Sequence, residues 1–313
     1  MIYFLAQTGL VYGLDDNIAA AANPAALIAF ASPGNVDPPF ISLAVRDIAG
    51  GVTTMYASTA DGKIYHWETN AGIGGFRLCV TTSPPNPLNG LAIDSNGDLW
   101  ASGNNGMYYY DFPSGRLSRV QGGVEANGQI AVSGQMLFVG NNISCGLDIW
   151  SIEATYPSVS LTLLAHVDSQ QCAFETDTGL MTNLPPGLVP LAIYVSSDES
   201  SVALGWSQWS SLPLGLGYQG RAVITRTGCD VHQFLENQSR PLACQLLRNV
   251  YSGAQLRGIV AEVSSPPSWN NRALLSGYSV QTIWTSANGG VAQVNLPPLV
   301  GNYVTHLQHA RQL

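Results

Sequence analysis

The feature that most constrains the fold is a repeated unit of short apolar runs separated by turn residues. Residues 89–112, NGLAIDSNGDLWASGNNGMYYYDF, contain the runs LAI, LWAS and MYYYDF. The turns between them carry Asn-Gly, which tolerates the positive φ that tight hairpins require. The pattern predicts a β-meander without helices. Because a meander cannot bury both of its faces alone, such units must pack on one another or on a second sheet.

Further copies of this unit fill much of the chain. The first strand of each copy is predicted near positions 41, 89, 129, 190 and 256. This spacing is variable but is centred on the roughly 40–50 residues of a four-stranded propeller blade. The repeat therefore predicts blades that stack side by side.

The two ends of the chain supply one more blade. Residues 2–31 contain three strand candidates, and the C-terminus adds one, NYVTHLQHA. Joining them in one sheet removes an exposed edge. The sequence thus predicts an all-β fold, a six-bladed β-propeller of four-stranded antiparallel blades, closed by the C-terminal strand joining the N-terminal blade, as a single domain over residues 1–313. Seven blades, with one in residues 212–250, and a two-sheet β-sandwich are the alternatives.

The segment GLAIDSNGDLWASGNNGMYYYD resembles blades of the NHL-type and gluconolactonase-like β-propellers. In those blades a line of hydrophobic-Asp-x-x-Gly-x-hydrophobic-Trp/Tyr-hydrophobic residues forms the first two strands. Residues 54–68 match this line in part, and the match ends near residue 165. The resemblance implies the fold. The lactonase-like enzymes hold a metal with Glu, Asn and Asp at the central pore, but that set cannot be placed on this chain, so no catalytic residue is carried over.

Composition and charge exclude some classes of partner. Charged residues make up only 10% of the chain, against roughly 25% in ordinary soluble domains. The net charge of −8 argues against nucleic acid and against an anionic membrane as partners, because both require clustered Lys and Arg. The best helical candidate, NIAAAANPAALIAFA, is interrupted by Pro24 and is too short and broken to span a bilayer.

The first residues of the chain indicate where the protein is located relative to the cell. MIYFLAQTGLVYG has neither the basic residues nor the small-residue cleavage site of a secretory signal. Uncharged polar composition without an export signal is found in virion proteins, which assemble inside the host and are exposed after lysis. We expect a virion or extracellular surface location, with a cytoplasmic protein as the alternative.

Four of the five cysteines are predicted to lie in two pairs. In a propeller, the turns between second and third strands share a rim with the crossings between blades. Cys145 and Cys172 fall on this rim, whereas Cys229 and Cys244 flank one connection on the opposite rim, so both pairs are allowed by position. Cys79 is predicted to be a buried thiol. Five reduced cysteines are the alternative, because an odd count weakens any disulfide scheme.

Signals for catalysis are weak. The chain has no nucleophile elbow, phosphate-binding loop or His-Glu-x-x-His motif. The run from Asp94 to Asp98 alternates like a calcium loop but lacks the glycine and the distal Glu that such a loop needs, so a hairpin turn is favoured. We expect no cofactor, apart from a channel cation as an open alternative. Its candidate ligands are the carboxylates of the first strands: Asp47, Asp94, Asp198 and Glu262.

The predicted ligand site lies on the rim of the second-to-third turns. An insertion at residues 205–219 places Trp206, Trp209 and Tyr218 on an exposed loop, where aromatic side chains usually mark a contact surface. The same rim carries the other predicted ligand-binding residues: Asp61, Asn104, Asn105 and Asn141. Aromatic rings beside planar amides suit sugar rings or an uncharged protein interface. The alternative is that Trp206 and Trp209 fold back onto the blade as a local cap.

These features predict a non-enzymatic recognition or structural module, such as a virion spike, fibre or tail component that binds a host glycan or a neighbouring subunit. The alternative is a propeller-type hydrolase or lyase of the lactonase-like kind, with a metal in the central channel. The expected partners are a glycan or a protein surface, including other virion subunits. Neither nucleic acid nor membrane insertion is expected.

Overall fold

The structure of the protein is a computed structural model. It describes residues 2–5, 11–14, 27–30, 40–48, 52–68, 75–122, 128–141, 144–155, 158–175, 181–184, 186–195, 202–208, 221–227, 231–238, 242–251, 256–263, 280–287 and 290–295. Its strands are almost all joined by antiparallel pairing, as alternating sequence patterns and tight turns predict.

The first four sheets are built from consecutive strands. The first has three strands, β1 (Ile2–Leu5), β2 (Val11–Leu14) and β3 (Leu27–Phe30). The second has four, β4 (Phe40–Ile48), β5 (Val52–Thr59), β6 (Lys63–Glu68) and β7 (Arg77–Thr81). The third has β8 (Leu88–Ile93), β9 (Leu99–Gly103), β10 (Gly106–Asp111) and β11 (Arg116–Arg119). The fourth has β12 (Ile130–Ser133), β13 (Met136–Asn141), β14 (Gly146–Thr155) and β15 (Ser158–Asp168).

The later sheets depart from this simple order. The fifth contains β16 (Cys172–Glu175), β17 (Met181–Asn183), β18 (Leu188–Val195), β19 (Val202–Gln208), β20 (Arg221–Thr227) and β21 (Leu242–Tyr251). Its order is β17-β16-β21-β20-β19-β18. The last described sheet has β22 (Leu256–Val263), β23 (Val280–Ala287) and β24 (Gly290–Asn295). Among the described residues the helices are α1 (Val231–Glu236) and one 3-10 turn at Ser169–Gln171.

The repeat predicted from the sequence is confirmed as an all-β arrangement with four-stranded antiparallel sheets. First strands begin at residues 40, 88, 130, 188 and 256, each within two residues of its predicted position. The three N-terminal strand candidates form one sheet, as predicted. The closing strand NYVTHLQHA lies outside the described residues, so the number of blades and the closure of the ring stay predictions.

The turn from Asp94 to Asp98 shows why this sequence forms a hairpin. The Asp94 carboxylate accepts hydrogen bonds from the backbone N–H of Asn96 at 2.8 Å and of Asp98 at 3.1 Å, and from Trp100 Nε1 at 3.3 Å. Positive φ falls on Gly97, at 88°, where the missing side chain removes the steric penalty. The Asp94 carboxylate thus stabilises the turn by accepting its hydrogen bonds. This supports the hairpin interpretation of the run over a calcium loop.

The second and third sheets pack through a shared apolar cluster. Tyr56, Ile64, Leu88 and Leu99 are each 0% exposed in it. Burying one such side chain contributes about 1.5–3 kcal/mol. Buried polar groups add to the contact, since Ser58 Oγ donates to the Leu88 carbonyl at 2.7 Å.

Strand β8 also lies close to the start of the fourth sheet, and Gly90 permits that approach. A Cβ at Gly90 would lie 2.3 Å from the Gly128 carbonyl oxygen and 2.5 Å from Ser102 Oγ. The same two partners are joined by a hydrogen bond of 2.6 Å from Ser102 Oγ to the Gly128 oxygen. No side chain fits between the strands without moving backbone.

We therefore expect Gly90→Ala to lower the free energy of unfolding by about 1–3 kcal/mol, the usual cost of overpacking. The matched control is Gly75→Ala, because a Cβ at Gly75 would meet nothing within 4 Å. Urea denaturation of both variants measures the difference. Equal midpoints for the two variants would contradict the close approach at Gly90.

In two sheets, the last strand in chain order also pairs in parallel with a segment from earlier in the chain. Gln121, which follows β11, pairs in parallel with Ser160 in β15. The Gln121 N–H donates to the Val159 carbonyl at 3.2 Å, and the Leu161 N–H donates to the Gln121 carbonyl at 2.9 Å. Strand β16, which follows β15, pairs in parallel with β21. Residues predicted as a plain crossing at 166–189 thus contain two strands of the next sheet.

The chain divides into two compact units. One contains residues 1–134, 152–161 and 310–313, and the other contains residues 135–151 and 162–309. The single domain over residues 1–313 stays a prediction. In the part of the chain that is described, no helix has the length and apolar character needed to cross a membrane.

Candidate functional site

The predicted residues Asp61, Asn104 and Asn105 lie in turns between second and third strands, as expected. Asp61 is in the β5–β6 turn, and Asn104 with Asn105 forms the two-residue turn between β9 and β10. Both asparagines are exposed. Positive φ occurs at the following Gly106, at 117°, so neither asparagine has to adopt it. The turn therefore presents two adjacent amides to solvent from a rigid hairpin.

Close backbone contacts connect these two turns. A Cβ at Gly62 would lie 2.1 Å from Thr82 Oγ1 and 2.8 Å from the backbone N of Asn86. A Cβ at Gly103 would lie 2.6 Å from Asn86 Nδ2. The segment between β7 and β8 is thus held between the two turns, and Asn86 itself is only 1% exposed. Gly62 and Gly103, which adjoin Asp61 and Asn104 in sequence, therefore lie against the same residue.

Arg119 lies beside the turn of Asn104 and Asn105 and was not predicted from the sequence. It lies at the end of β11, opposite Tyr108 of β10, and is exposed. Its side chain extends over Gly106, where a Cβ would lie 3.2 Å from Nε and 3.3 Å from one Nη. We call Asp61, Asn104, Asn105 and Arg119 the turn surface.

Asp61 is already engaged within the turn surface. Its carboxylate accepts a hydrogen bond of 2.5 Å from Thr59 Oγ1 and forms an ion pair of 2.5 Å with Lys63 Nζ. Partial burial acts to raise the pKa of Asp61, but the hydrogen bonds from Lys63 and Thr59 outweigh it and hold the pKa below its usual range. Asp61 is therefore an ionised group whose charge is neutralised by Lys63.

The placement predicted for Trp206 is wrong. Trp206 lies within β19 and is 0% exposed, in a cluster with Leu188, Leu204 and Phe234. A fully buried indole cannot serve as a contact surface. Trp209 and Tyr218 lie outside the described residues.

Asn141 is also buried rather than presented at the rim. It is 6% exposed, and its Nδ2 donates to Asp148 Oδ2 at 2.7 Å. Asp148 Oδ1 in turn lies 2.6 Å from His166 Nδ1, and Asn141 Oδ1 accepts from the Ser144 N–H at 3.0 Å. This network joins β13, β14 and β15 around a carboxylate that is only 3% exposed. The prediction that Asn141 faces a ligand is corrected, because its amide holds the β13–β14 turn.

The predicted pair of Cys145 with Cys172 is not formed, since both are free thiols. Cys172 is 0% exposed at the start of β16, and Cys145 is half-buried in the β13–β14 turn. Cys79 is free and half-buried, and burial raises the pKa of its thiol to about 11. Cys229 lies outside the described residues, and at Cys244 only the backbone is described, so the second pair stays a prediction.

A second cluster, at the opposite end of the second and third sheets, was missed at the sequence level. The His66 ring lies between two aromatic rings, with centroids 4.6 Å from Tyr56 and 4.5 Å from Phe112. His66 Nε2 lies 2.8 Å from Thr54 Oγ1. Burial lowers the pKa of His66 to about 4, so the ring is neutral near pH 7. Phe112 is 40% exposed.

The carboxylate of Asp98, close to this cluster, stabilises the local backbone. Asp98 accepts hydrogen bonds from Tyr109 OH at 2.6 Å and from the Phe112 N–H at 2.9 Å.

Of the predicted channel carboxylates, Asp94 accepts hydrogen bonds within its own turn, whereas Asp198 and the side chains of Asp47 and Glu262 are not described. Within the described ranges, no three His, Cys, Asp or Glu side chains converge to hold a metal ion.

Comparison with known proteins supports the fold alone. No protein-family model matches the chain, and no curated protein matches it in sequence. The nidogen/laminin complex is similar in structure with a TM-score of 0.52 and 13% identity, covering 94% of this chain and 89% of that one. The β-propeller domain of Swd1 from Myceliophteria thermophila has a TM-score of 0.42 and 11% identity, covering 82% of this chain and 68% of that one. The chain has a β-propeller-like fold, and a specific NHL type is not confirmed.

Proposed function

We propose that the protein is a non-enzymatic recognition module of the β-propeller type that binds an external ligand through the turn surface. The observation that carries this proposal is the pair of exposed amides at Asn104 and Asn105. Among the described residues, neither amide has a hydrogen-bond partner within the protein. Their donors and acceptors are therefore ready to bind a partner from outside.

The rigidity of the support strengthens the proposal. The asparagines occupy a two-residue turn between paired strands, and Gly103 lies against buried Asn86. A site on a rigid scaffold loses little conformational entropy on binding. Planar amides offer both donors and acceptors, which suits sugar hydroxyls and backbone groups of a protein.

The context that we propose is a virion surface. Only 10% of the residues are charged, so the surface must present many uncharged polar groups. The nidogen/laminin structure is by its name a complex, and only the fold is transferred from it. The ligand of the present protein is a host glycan or a neighbouring virion subunit.

The test compares Asn104→Ala/Asn105→Ala with the wild type on a glycan array and on host cells. Asn96→Ala is the matched control, because Asn96 is an exposed turn asparagine at the opposite end of the same sheet. We expect the double variant to lose binding by at least tenfold, since roughly 1 kcal/mol is lost for each hydrogen bond removed. The control variant is expected to bind like the wild type.

Unchanged denaturation midpoints must accompany the loss, so that unfolding does not explain it. Wild-type binding that survives in the double variant would refute the turn surface as the site. Absence of binding by the wild type to any glycan or host surface would refute the recognition of a host ligand.

A further inference from the structure

We infer that the turn surface takes a carboxylate-bearing saccharide, whose carboxylate is bound by Arg119 while Asn104 and Asn105 bind the sugar hydroxyls. This inference rests on the proposed function and specifies the chemistry of its ligand.

The position of Arg119 is set by the backbone beneath it. Arg119 pairs across the sheet with Tyr108, and its side chain leans along the strand over Gly106. The guanidinium occupies the space that a side chain at position 106 would fill. It is thereby held directly beside the turn that carries Asn104 and Asn105.

The charge of Arg119 is not neutralised by any described residue. Among the other described cations, Lys63 pairs with Asp61 and Arg46 Nη1 donates to the Ile93 carbonyl at 2.8 Å, whereas Arg77 and Arg116 are exposed. Arg119 differs from these two in lying beside the turn of Asn104 and Asn105. The whole chain has 12 Lys and Arg against 20 Asp and Glu. A guanidinium that pairs with no described carboxylate, in a chain with this excess of acid, indicates a partner that brings its own negative charge.

The geometry of the donors favours a carboxylate. A guanidinium presents a planar fork of N–H groups that matches the two oxygens of a carboxylate, whereas a neutral hydroxyl engages only one of them. The two amides beside it add donors and acceptors for a ring bearing hydroxyls.

The four residues of the turn surface provide no large aromatic or aliphatic anchor, which favours a saccharide over a protein. All four residues of the turn surface are polar or charged. Phe112, an exposed large hydrophobic residue of the third sheet, lies in the turn at the opposite end of that sheet. Protein interfaces draw most of their binding energy from buried aromatic or aliphatic anchors. An acidic peptide is therefore the less favoured source of the carboxylate.

The experiment measures binding of the full chain to glycans that carry uronic or sialic acids, to the same glycans with the carboxyl reduced to an alcohol, and to an acidic peptide. The variants are Arg119→Gln, Arg119→Lys and the matched control Arg116→Gln, at an exposed arginine at the other end of β11. We expect wild-type binding to the acidic glycans only. Arg119→Gln is expected to lose about 10- to 100-fold in affinity, Arg119→Lys less, and Arg116→Gln nothing.

Several results would overturn the inference. In one such result, the carboxyl-reduced glycans bind as tightly as the acidic ones, and this binding is lost in Asn104→Ala/Asn105→Ala but retained in Arg119→Gln. That result would refute recognition of the carboxylate and leave the recognition function standing. Binding of the acidic peptide alone would refute the saccharide. Binding that neither set of variants changes would refute both the inference and the turn surface as the site.

Discussion

Trp206→Ala is expected to lower the free energy of unfolding by about 3–5 kcal/mol, the range measured when a large buried aromatic side chain is truncated in a core. The indole is 0% exposed and packs in a cluster with Leu188, Leu204 and Phe234. Its removal leaves a cavity lined by strands β18 and β19, which pair with each other along their length, and by Phe234 of helix α1. Little collapse can compensate for the lost contacts.

Leu78→Ala provides the comparison, because Leu78 is a large hydrophobic residue that is 54% exposed. Its truncation should change stability by no more than about 0.5 kcal/mol. Guanidinium denaturation followed by circular dichroism measures both. A cost for Trp206→Ala as small as that for Leu78→Ala would return Trp206 to the exposed loop that the sequence suggested.

Stability is expected to fall in weak acid because of His66. Burial between Tyr56 and Phe112 lowers the pKa of His66 to about 4, against about 6.5 in the unfolded chain. As the pH falls below 6.5, the unfolded chain binds a proton that the folded chain does not. The contribution of His66 is therefore fully present above pH 6.5 and is lost as the pH falls to about 4.

The measurement is the free energy of unfolding of the wild type and of His66→Gln at several pH values from 7.5 to 3.5. Glutamine keeps a hydrogen-bonding group near Thr54 but does not titrate. The wild type should lose about 3 kcal/mol relative to the variant over this range, since each pKa unit corresponds to about 1.4 kcal/mol. Parallel pH profiles for the two proteins would show that His66 titrates normally and is accessible to water.

Many strands could be predicted from the sequence because they alternate or are wholly apolar and are separated by turns that contain glycine or asparagine. The first-strand positions rest on this local information, and so do the turns that hold Asp61 and Asn104. The four-stranded antiparallel sheets follow from the repetition of this unit. The strand proposed for the C-terminus falls outside the described residues and stays a prediction.

The errors arose where local patterns compete with packing. The Gly-Trp-Ser-Gln stretch was interpreted as the start of a loop, yet Leu204 and Trp206 are two residues apart and so face the same side of β19. Extending the alternation by one step would have placed Trp206 in the core. Asn141 was taken as a rim amide because its partner Asp148 lies on the next strand, and the turn pattern alone does not show that the two side chains meet.

Arg119 escaped prediction for a related reason. Its location beside Asn104 and Asn105 depends on the register of β10 with β11 and on the missing side chain at Gly106. Neither can be derived from the strand sequence RLSR. Exposed residues at both ends of that strand, with half-buried residues between them, indicate only a solvated outer strand. Proximity to Asn104 and Asn105 appears only when the strands are paired.

The parallel partners of β15 and β21 bear on how the chain folds during synthesis. Gln121 leaves the ribosome before Ser160, and β16 leaves before β21. In both cases the segment that pairs with the last strand of a sheet is synthesised before that strand. We expect such a segment to act as a template that shortens the search for long-range pairing. Sheet assembly is then expected to run from the N-terminus towards the C-terminus.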